Sequence, residues 1–577
     1  MASALAMAVS FCFLASSPGA HAETALQERM RLAAQRAGYD ANSPKSIIEL
    51  QLFRKSASAI LKSGAKATLI ALNPAINSWL LLKIEEKDGK TAFYHLENPK
   101  PETQEILLER KPSAHIVIRG KLGTYRCVPW KSGVSPLSRA KSSGLPFSPL
   151  CGGRLYLRNK VRGSSTNLEA TAAFLRDNVP MGESLVGLVK ATLYKDKYFE
   201  TAQEVQGDSD GIQPRGLKRA DLARAPVVRT YISMNLKGAE GGRMRSGAWY
   251  PVENIPGVYA ATIQPGTISQ EILGDRTNAN WLDGVESRAQ AYFLAFDLTQ
   301  LRLGYEVGTT HPRLDWSSRP SGAGRDRRLP GPDGIRTAAP LVNLGMISPA
   351  QSRRIVATFT GGFKRDHGAF RYGPKASTNH GHHYGFIVHG VIESKLQPGL
   401  ATLYILNDGT VGMKTWTRDD DAMLPKIRFA RQNGVPLVVR DPKTGRTIAG
   451  PLVRFWGPGN WSGSAKVELR TLRASACLRE AEGKQFLIYG YFSTATPSAL
   501  ARTYQAFSCD YAMLLDMNAL EHTYSAVYVR ENGELRTQHL LRGMAAVDKR
   551  RSDGSRIPRF IGFSDNRDFF YLTRKEE

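Results

Sequence analysis

The chain has 577 residues, of which 78 are Lys or Arg and 52 are Asp or Glu, so its formal net charge is +26. Apolar residues make up 42% and charged residues 23%, which excludes a fully disordered, fibrous or multi-span membrane chain. The length predicts more than one domain, and the basic surplus predicts an anionic partner.

The first 22 residues have the pattern of a secretory signal. An apolar run from Ala4 to Ala15 is followed by Ser-Ser-Pro-Gly, and Ala20 and Ala22 supply the small residues of a cleavage site. We therefore predict a signal peptide at residues 1–22 and a periplasmic or secreted protein; a buried N-terminal helix is the alternative. No later stretch reaches the roughly 18 apolar residues of a membrane helix, so no transmembrane segment is expected after cleavage. Export also argues against nucleic acid as the partner.

Residues 23–65 are predicted to be helical. The pattern favours two helices, the second with Ser43 as N-cap, Pro44 at its first position and Gly64 as its stop. These helices are expected to lead into the first domain.

Residues 66–224 are predicted to form a small, basic, β-rich domain. Its runs are short and rich in β-branched and aromatic residues, and the Asp-Gly within residues 87–90 is typical of a tight hairpin turn. Thr166 and Glu169 have the spacing of a capping box that opens a helix. The polar, turn-rich residues 207–224 predict the boundary with the next domain.

One stretch of this domain concentrates positive charge. Arg110 to Arg162 contains 12 Lys and Arg residues and no Asp or Glu. It also contains Tyr125, Trp130, Phe147 and Tyr156. Basic and aromatic residues together favour binding to an anionic polymer of the cell envelope, such as a phosphorylated glycan; a merely solvated basic face is the alternative.

Four cysteines follow the predicted signal, an even number that favours two disulfides in an oxidising compartment. The simplest of the three connectivities pairs neighbours in the chain, Cys127 with Cys151 and Cys477 with Cys509. The first bridge would close a loop within the basic stretch.

Residues 225–577 are predicted to form a larger, strand-dominated domain. Alternating runs separated by Asn-Gly and Asp-Gly turns indicate many strands, and Thr496 with Pro497 marks the start of a helix that joins two of them in a β-α-β step. The fold class is therefore α+β, a strand-rich mixed-sheet domain with a few flanking helices, preceded by the smaller helical and β domain.

Three groups of residues in this domain could carry chemistry. Gly361 and Gly362 directly follow a predicted strand, where paired glycines permit close approach of a ligand such as phosphate. The second group holds three of the chain's 11 histidines, His380, His382 and His383, which could bind a metal, hold a phosphate or move protons. An ordinary turn and a solvent-facing loop are the respective alternatives.

The third group surrounds Asp516. An apolar run ends in this residue, as when a buried strand delivers a carboxylate to the edge of a sheet, and Glu521 and His522 follow within a short turn. Two carboxylates this close could serve glycosidic cleavage. The alternative is a carboxylate that caps a turn.

Taken in order, these groups resemble the phosphodiester glycosidase family over approximately residues 225–572. The matching succession is a strand, Gly-Gly-Phe, a strand ending in Gly390, Asn-Asp-Gly at residues 407–409, Arg473 followed by Ala-Ser-Ala-Cys, a helix, and a strand ending in Asp516. Thr360 stands where the family has Asn, and Met-Asn-Ala at residues 517–519 replaces a run of glycines.

The resemblance implies a domain that binds a sugar-1-phosphodiester and hydrolyses the bond between the anomeric carbon and the phosphate oxygen. It implies that Arg473 clamps the phosphate and that Asp516 acts at the anomeric centre. Further candidates complete the predicted site. We assign catalytic roles to Glu521 and His382 and substrate-binding roles to Gly361, Gly362, Thr360, His380, His383, Asn518 and His522.

The sequence thus predicts an exported, phosphodiester-glycosidase-like hydrolase whose basic N-terminal domain binds a phosphorylated glycan or another anionic envelope polymer. It indicates no cofactor, and it assigns no metal ligands although the histidine segment is compatible with a divalent metal. The alternative is a non-catalytic protein of the same fold that binds envelope polyanions, which the loss of the glycine run favours.

Overall fold

A computed structural model describes residues 23–41, 44–130, 135–166, 169–171, 196–317, 322, 325–365, 384–455 and 469–575. These residues form seven β-sheets and few helices, which confirms the predicted α+β class. The helices of four or more residues in the α conformation are Ala25–Asp40, Pro136–Ser142, Gln270–Gly274, Pro349–Ser352 and Pro497–Ala506. Within the described residues, no helix is long and apolar enough to cross a membrane.

The N-terminal part is more strand-rich than predicted. Helix Ala25–Asp40 is present, but the predicted second helix is wrong. Residues Lys55–Ile60 instead pair with Lys66–Ala71 as an antiparallel hairpin. Gly64 has φ +83°, so the glycine that resembled a helix stop supplies the left-handed turn between these strands.

Two sheets complete this part. A six-stranded sheet packs beside a three-stranded sheet, and the predicted hairpin at residues 87–90 lies in the larger one, with Glu85 opposite Thr91. In spatial order the strands are Lys55–Ile60, Lys66–Ala71, Trp79–Glu85, Thr91–Glu97, Leu155–Arg158 and Phe147–Leu150 in the first sheet, and Gln104–Glu109, His115–Gly120 and Gly123–Cys127 in the second.

The C-terminal part is built on three larger sheets. The eight-stranded central sheet contains the predicted β-α-β step, because the strands on either side of helix Pro497–Ala506 both pair antiparallel with the same middle strand and so run parallel to each other. Its strands, in spatial order, are Tyr250–Pro251, Val258–Ile263, Ala291–Asp297, Lys484–Ala495, Thr471–Ala481, Tyr511–Met517, Val438–Arg440 and Thr447–Ala449.

Two five-stranded sheets accompany the central sheet. We call them the second and third sheets, and the strands are given in spatial order. The second sheet contains Leu301–Glu306, Phe569–Arg574, Ile355–Thr360, Ser525–Glu531 and Glu534–His539; the third contains Val391–Ser394, Phe386–Val388, Ile427–Gln432, Ala401–Leu406 and Val411–Thr415.

Two small sheets remain. One crosses the domain boundary predicted at residues 207–224, because Gln203–Glu204 pairs with Val227–Arg229, which pairs with Arg243–Arg245. The other joins Lys549–Arg550 to Arg556–Ile557.

Both predicted disulfides are confirmed. Cys127 is bonded to Cys151 and Cys477 to Cys509. The chain between the first pair is more ordered than the predicted loop, since it contains helix Pro136–Ser142 and strand Phe147–Leu150.

Asn433 joins the three large sheets at one point. It follows the third-sheet strand Ile427–Gln432, and its side-chain amide donates to the carbonyls of Leu514 at 2.6 Å and Leu515 at 3.0 Å in the central sheet. Its side-chain oxygen accepts from the backbone nitrogen of Phe363, just beyond the second sheet, at 3.2 Å. Strand ends from all three sheets therefore meet near Asp516.

Candidate functional site

Asp516 lies near the end of the central-sheet strand Tyr511–Met517, every residue of which is buried. Its side chain is only 7% exposed. One oxygen accepts a hydrogen bond from the backbone nitrogen of Met517 at 2.8 Å, and the other accepts from the guanidinium of Arg567. Burial raises the pKa of Asp516 to about 6, although the positive charge of Arg567 opposes the rise.

Arg567 is the central cation of the site. Besides Asp516, its Nη2 donates to Glu169 Oε1 at 2.8 Å and to His522 Nε2 at 2.7 Å. Its backbone nitrogen donates to Asp565 at 2.9 Å, which holds the residue in place. Arg567 was not predicted as a site residue, although it lies in the polar run Ser-Asp-Asn-Arg-Asp at residues 564–568, which directly precedes the last strand.

His522 supports Arg567 as a neutral imidazole. Its Nδ1 lies 2.8 Å from the carbonyl oxygen of Met517, which can only accept, so Nδ1 carries the proton. Nε2 then offers its lone pair to Arg567. The predicted site residue His522 is therefore brought to Asp516 through Arg567.

A second ionic group lies next to Arg567 in the chain. Asp568 accepts from the Tyr305 hydroxyl and from Arg431 Nε, both at 2.7 Å, and lies 3.3 Å from His311 Nδ1. Burial alone would raise the pKa of Asp568, but the neighbouring Arg431 and His311 lower it. Burial lowers the pKa of His311 to about 3, although Asp568 opposes this shift. This group, too, was missed in the sequence.

The paired glycines lie against this group. A Cβ on Gly361 would come within 2.5 Å of the Asp568 carboxylate, and one on Gly362 within 2.7 Å of the Asn433 side chain. The close approach expected of a ligand is thus made by the protein's own side chains. The amide of Gly361 donates to the carbonyl of Asp568 at 2.9 Å, so it does not point at a ligand.

Thr360 has a positioning role. Its hydroxyl donates to the carbonyl oxygen of His522 at 2.7 Å. The second-sheet strand Ile355–Thr360 therefore holds the turn that carries His522, and Thr360 acts through that turn.

The turn after Asp516 contains one residue in the left-handed backbone conformation that glycine adopts most easily. Asn518 has φ +80°, and Asn is one of the residues that best tolerates this left-handed conformation. Its side-chain oxygen accepts from the Thr471 hydroxyl at 3.0 Å. Glu521 is also close to the site, where its Oε1 accepts from the hydroxyl of Thr166 at 3.1 Å.

Arg473 is placed away from the Asp516 carboxylate. Its guanidinium donates to the carbonyls of Ala495 at 2.8 Å and Leu469 at 3.1 Å, and it contacts the Met517 sulfur at 3.3 Å. Successive side chains of a strand point to opposite faces. Arg473 therefore shares the Met517 face of the central sheet, whereas Asp516 and Arg567 lie on the other.

His380, His382 and His383 lie outside the described residues, so their predicted roles stay predictions. Within the part of the chain that is described, no group of three or more His, Cys, Asp or Glu residues could hold a metal ion.

The raised pKa of Asp516 predicts a specific pH dependence of stability. The folded protein holds this proton up to about pH 6, whereas the ordinary pKa is 3.8. The stabilisation of the fold by this bound proton is therefore complete below the ordinary pKa and is lost as the pH rises through about 6. The loss amounts to roughly 3 kcal/mol in the free energy of unfolding. Urea unfolding should show this loss in the wild type and not in Asp516→Asn. Parallel curves for the two proteins would contradict the assignment.

Comparisons with known proteins add distant structural likenesses. No protein-family model matches the sequence, and no curated protein matches it. A hypothetical protein from Synechocystis is 9% identical with a TM-score of 0.24, over 85% of this chain and 98% of that one. A protein of Burkholderia pseudomallei named a putative exported protein is 9% identical with a TM-score of 0.18, over 49% of this chain and 74% of that one. At these TM-scores neither likeness bears on the fold or the activity.

Proposed function

We propose that this protein is an exported hydrolase of the phosphodiester glycosidase type, which cleaves a sugar-1-phosphodiester in an envelope polymer or glycoconjugate. One observation carries the proposal: a buried carboxylate, Asp516, is bonded to a buried guanidinium, Arg567, where strands of three sheets end. The reaction needs an acid–base group at the anomeric carbon and a cation at the phosphate, and these two residues supply them side by side.

The proposed reaction is a hydrolysis. Asp516 takes a proton from water, whose oxygen bonds to the anomeric carbon while the bond from that carbon to the phosphate oxygen breaks. The proton passes to the departing phosphate, so the products are a free sugar and a phosphomonoester. The pKa of about 6 for Asp516 suits a base at neutral pH. Arg567 stabilises the negative charge on the phosphate oxygens.

Arg567 takes over the phosphate-binding role that the resemblance assigned to Arg473. We assign the role to Arg567 because it contacts the Asp516 carboxylate, whereas Arg473 lies on the opposite face of the central sheet. Arg473 would then position the strand that ends in Met517.

Turnover on defined substrates tests the activity. Purified protein should release free sugar from nucleotide-sugars or other α-linked sugar-1-phosphodiesters, with a phosphomonoester as the second product. Release of a sugar phosphate instead would mean cleavage of a different bond. Absence of turnover across a broad panel would overturn the hydrolase and favour the non-catalytic polyanion-binding protein.

Export is supported by the two disulfides, because such bonds persist mainly outside reducing compartments. The predicted signal peptide itself lies outside the described residues.

The exposed edge of the three-stranded sheet is the proposed contact with the envelope polymer. Strand Gly123–Cys127 is exposed along most of its length and pairs on one side only. We call the surface formed by Lys121, Tyr125, Arg126 and Arg154 the basic edge. Arg154 stacks over the Tyr125 ring at 4.4 Å, and no carboxylate of the described residues forms a salt bridge with its three cations.

Two cations of the predicted basic stretch are paired with acidic residues outside it. Arg158 is buried and pairs with Glu97, and Arg119 pairs with Glu109 at 2.8 Å because the two lie on neighbouring strands. Phe147 belongs to the buried part of the domain. A stretch without acidic residues in sequence is thus partly neutralised in space.

Reversing the charge of the basic edge should weaken polymer binding. In Lys121→Glu/Arg126→Glu/Arg154→Glu, affinity for lipopolysaccharide or a teichoic-type polymer should fall several-fold and lose its salt dependence, because the attraction is between exposed charges. Sedimentation with each polymer at increasing salt measures this. The triple variant Lys237→Glu/Arg353→Glu/Arg550→Glu changes the same number of exposed charges elsewhere and serves as control. Equal weakening by both variants would show that only net charge matters.

A further inference from the structure

Glu169 places a carboxylate between two cations of the site. Its Oε1 accepts from Arg567 Nη2 at 2.8 Å and lies 3.2 Å from Lys364 Nζ. All three side chains are largely buried, with exposed fractions of 10% for Glu169, 4% for Arg567 and 14% for Lys364. Burial alone would raise the pKa of Glu169, but Arg567 and Lys364 outweigh it and lower this pKa strongly, so the carboxylate stays charged.

Glu169 reaches the site from the N-terminal part of the chain. Ser164 anchors this segment to the one that carries Arg567, since its nitrogen donates to the Ser564 carbonyl at 2.8 Å and its carbonyl accepts from Asn566 at 3.1 Å. Thr166 then caps the backbone of Glu169 at 3.2 Å. Of the two hydrogen bonds of the predicted capping box, the one from the Glu169 backbone nitrogen to the Thr166 hydroxyl is therefore present. The Glu169 side chain does not complete the box, because its carboxylate binds the two cations.

Several buried polar atoms around these cations lack hydrogen-bond partners. Buried polar atoms are rarely left unpaired in folded proteins, so a group of them marks a place that a ligand can complete. Within the residues that the structure describes, the unpaired atoms on Arg567 and its chain neighbours are Arg567 Nε, Asn566 Oδ1 and Ser564 Oγ, and His311 Nε2 is unpaired beside Asp568.

We propose that Arg567 and Lys364 form a subsite for the oxygens of a phosphate group, and that Glu169 fills this subsite as an internal carboxylate until a phosphate-bearing ligand displaces it. Arg and Lys are the side chains that bind phosphate best, one by paired hydrogen bonds and the other as a point charge. A single carboxylate oxygen shared between them occupies the place of one phosphate oxygen.

The inference rests on the proposed function for the identity of the ligand and adds a consequence for affinity. A phosphate group must compete with Glu169, so the observed affinity is lower than that of the open subsite. The unpaired Arg567 Nε offers a further donor once the ligand has entered.

Calorimetry with inorganic phosphate, at constant ionic strength, tests the subsite in the full-length protein. Glu169→Gln should bind phosphate roughly tenfold more tightly than the wild type, because the competing charge is gone while both cations remain. Adding Lys364→Met to this variant should abolish the gain. Glu271→Gln removes an exposed carboxylate paired with Arg446 and should bind phosphate as the wild type does.

Equal affinity of Glu169→Gln and wild type, or an unchanged gain when Lys364→Met is added, would overturn the proposal. If Glu169→Gln does not fold, Glu169→Asp keeps the charge but shortens the side chain. It should bind phosphate more tightly than the wild type, and equal affinity would overturn the proposal in the same way. Phosphate binding can be measured without turnover, so the two proposals can fail separately. An inactive protein whose Glu169→Gln variant binds phosphate more tightly overturns only the hydrolase. An active protein whose variants bind phosphate as the wild type does overturns only the role of Glu169.

Discussion

Asp516→Asn is expected to lower the rate of sugar release from a sugar-1-phosphodiester by roughly 10²- to 10⁴-fold, the usual contribution of a general acid–base group. The amide keeps the size of the carboxylate but cannot take a proton from water. The measurement is kcat on the best substrate of the panel, together with a phosphate-binding measurement that shows whether the rest of the site is intact.

The matched control is Asp548→Asn. Asp548 is a buried carboxylate of the same part of the chain, which accepts from the Tyr524 hydroxyl at 3.0 Å and lies 2.9 Å from His539 Nε2. Its substitution should lower stability and leave kcat nearly unchanged. Similar losses of kcat in the two variants would mean that Asp516 acts through folding and not through chemistry.

Arg567→Met is expected to lower the free energy of unfolding by about 3–5 kcal/mol, because it leaves the buried Asp516 carboxylate without its cation and leaves Glu169 with Lys364 alone. Asp516 and Glu169 both lose their ion pair with Arg567. Chemical denaturation at neutral pH measures the loss. Arg446→Met removes an exposed arginine that is paired with Glu271 and should change stability little, since exposed ion pairs contribute weakly.

A second substitution separates the charge from the packing. Adding Glu169→Gln to Arg567→Met should cost less stability than the sum of the two single losses, because either substitution alone already removes the ion pair between these residues, and the coupling appears as this non-additivity. Additive losses would mean that Arg567 and Glu169 stabilise the fold independently of each other.

Strand patterns in the sequence were sufficient to predict the fold class and the strand that ends at Asp516. The helix predicted to start at Pro44 shows the limit of such patterns. A glycine can stop a helix or turn a hairpin, and only pairing with Lys66–Ala71 shows that Gly64 does the second.

The site was predicted only in part. Asp516, His522 and Thr360 are brought together as neighbours of one turn, but Arg567, the cation that contacts Asp516, was not predicted. Arg567, Lys364 and Glu169 lie far apart in the chain, and each looks like an ordinary surface charge when it is read alone. They come together only because the segment that carries Glu169, the segment after strand Ile355–Thr360 and the segment before strand Phe569–Arg574 pack against one another.

The pattern of residues close in sequence was therefore sufficient to predict the strands, the carboxylate at the end of one of them and the pairing of neighbouring cysteines. Each of these features depends on residues that are close in the chain. Which arginine faces Asp516 was decided by tertiary structure alone. Arg473 pairs with Met517 on the neighbouring strand of the central sheet, so the two side chains lie on the same face. Because successive side chains of a strand point to opposite faces, the Asp516 side chain lies on the other face. Arg567 comes from a segment 51 residues further along the chain and reaches the carboxylate because the sheets meet there.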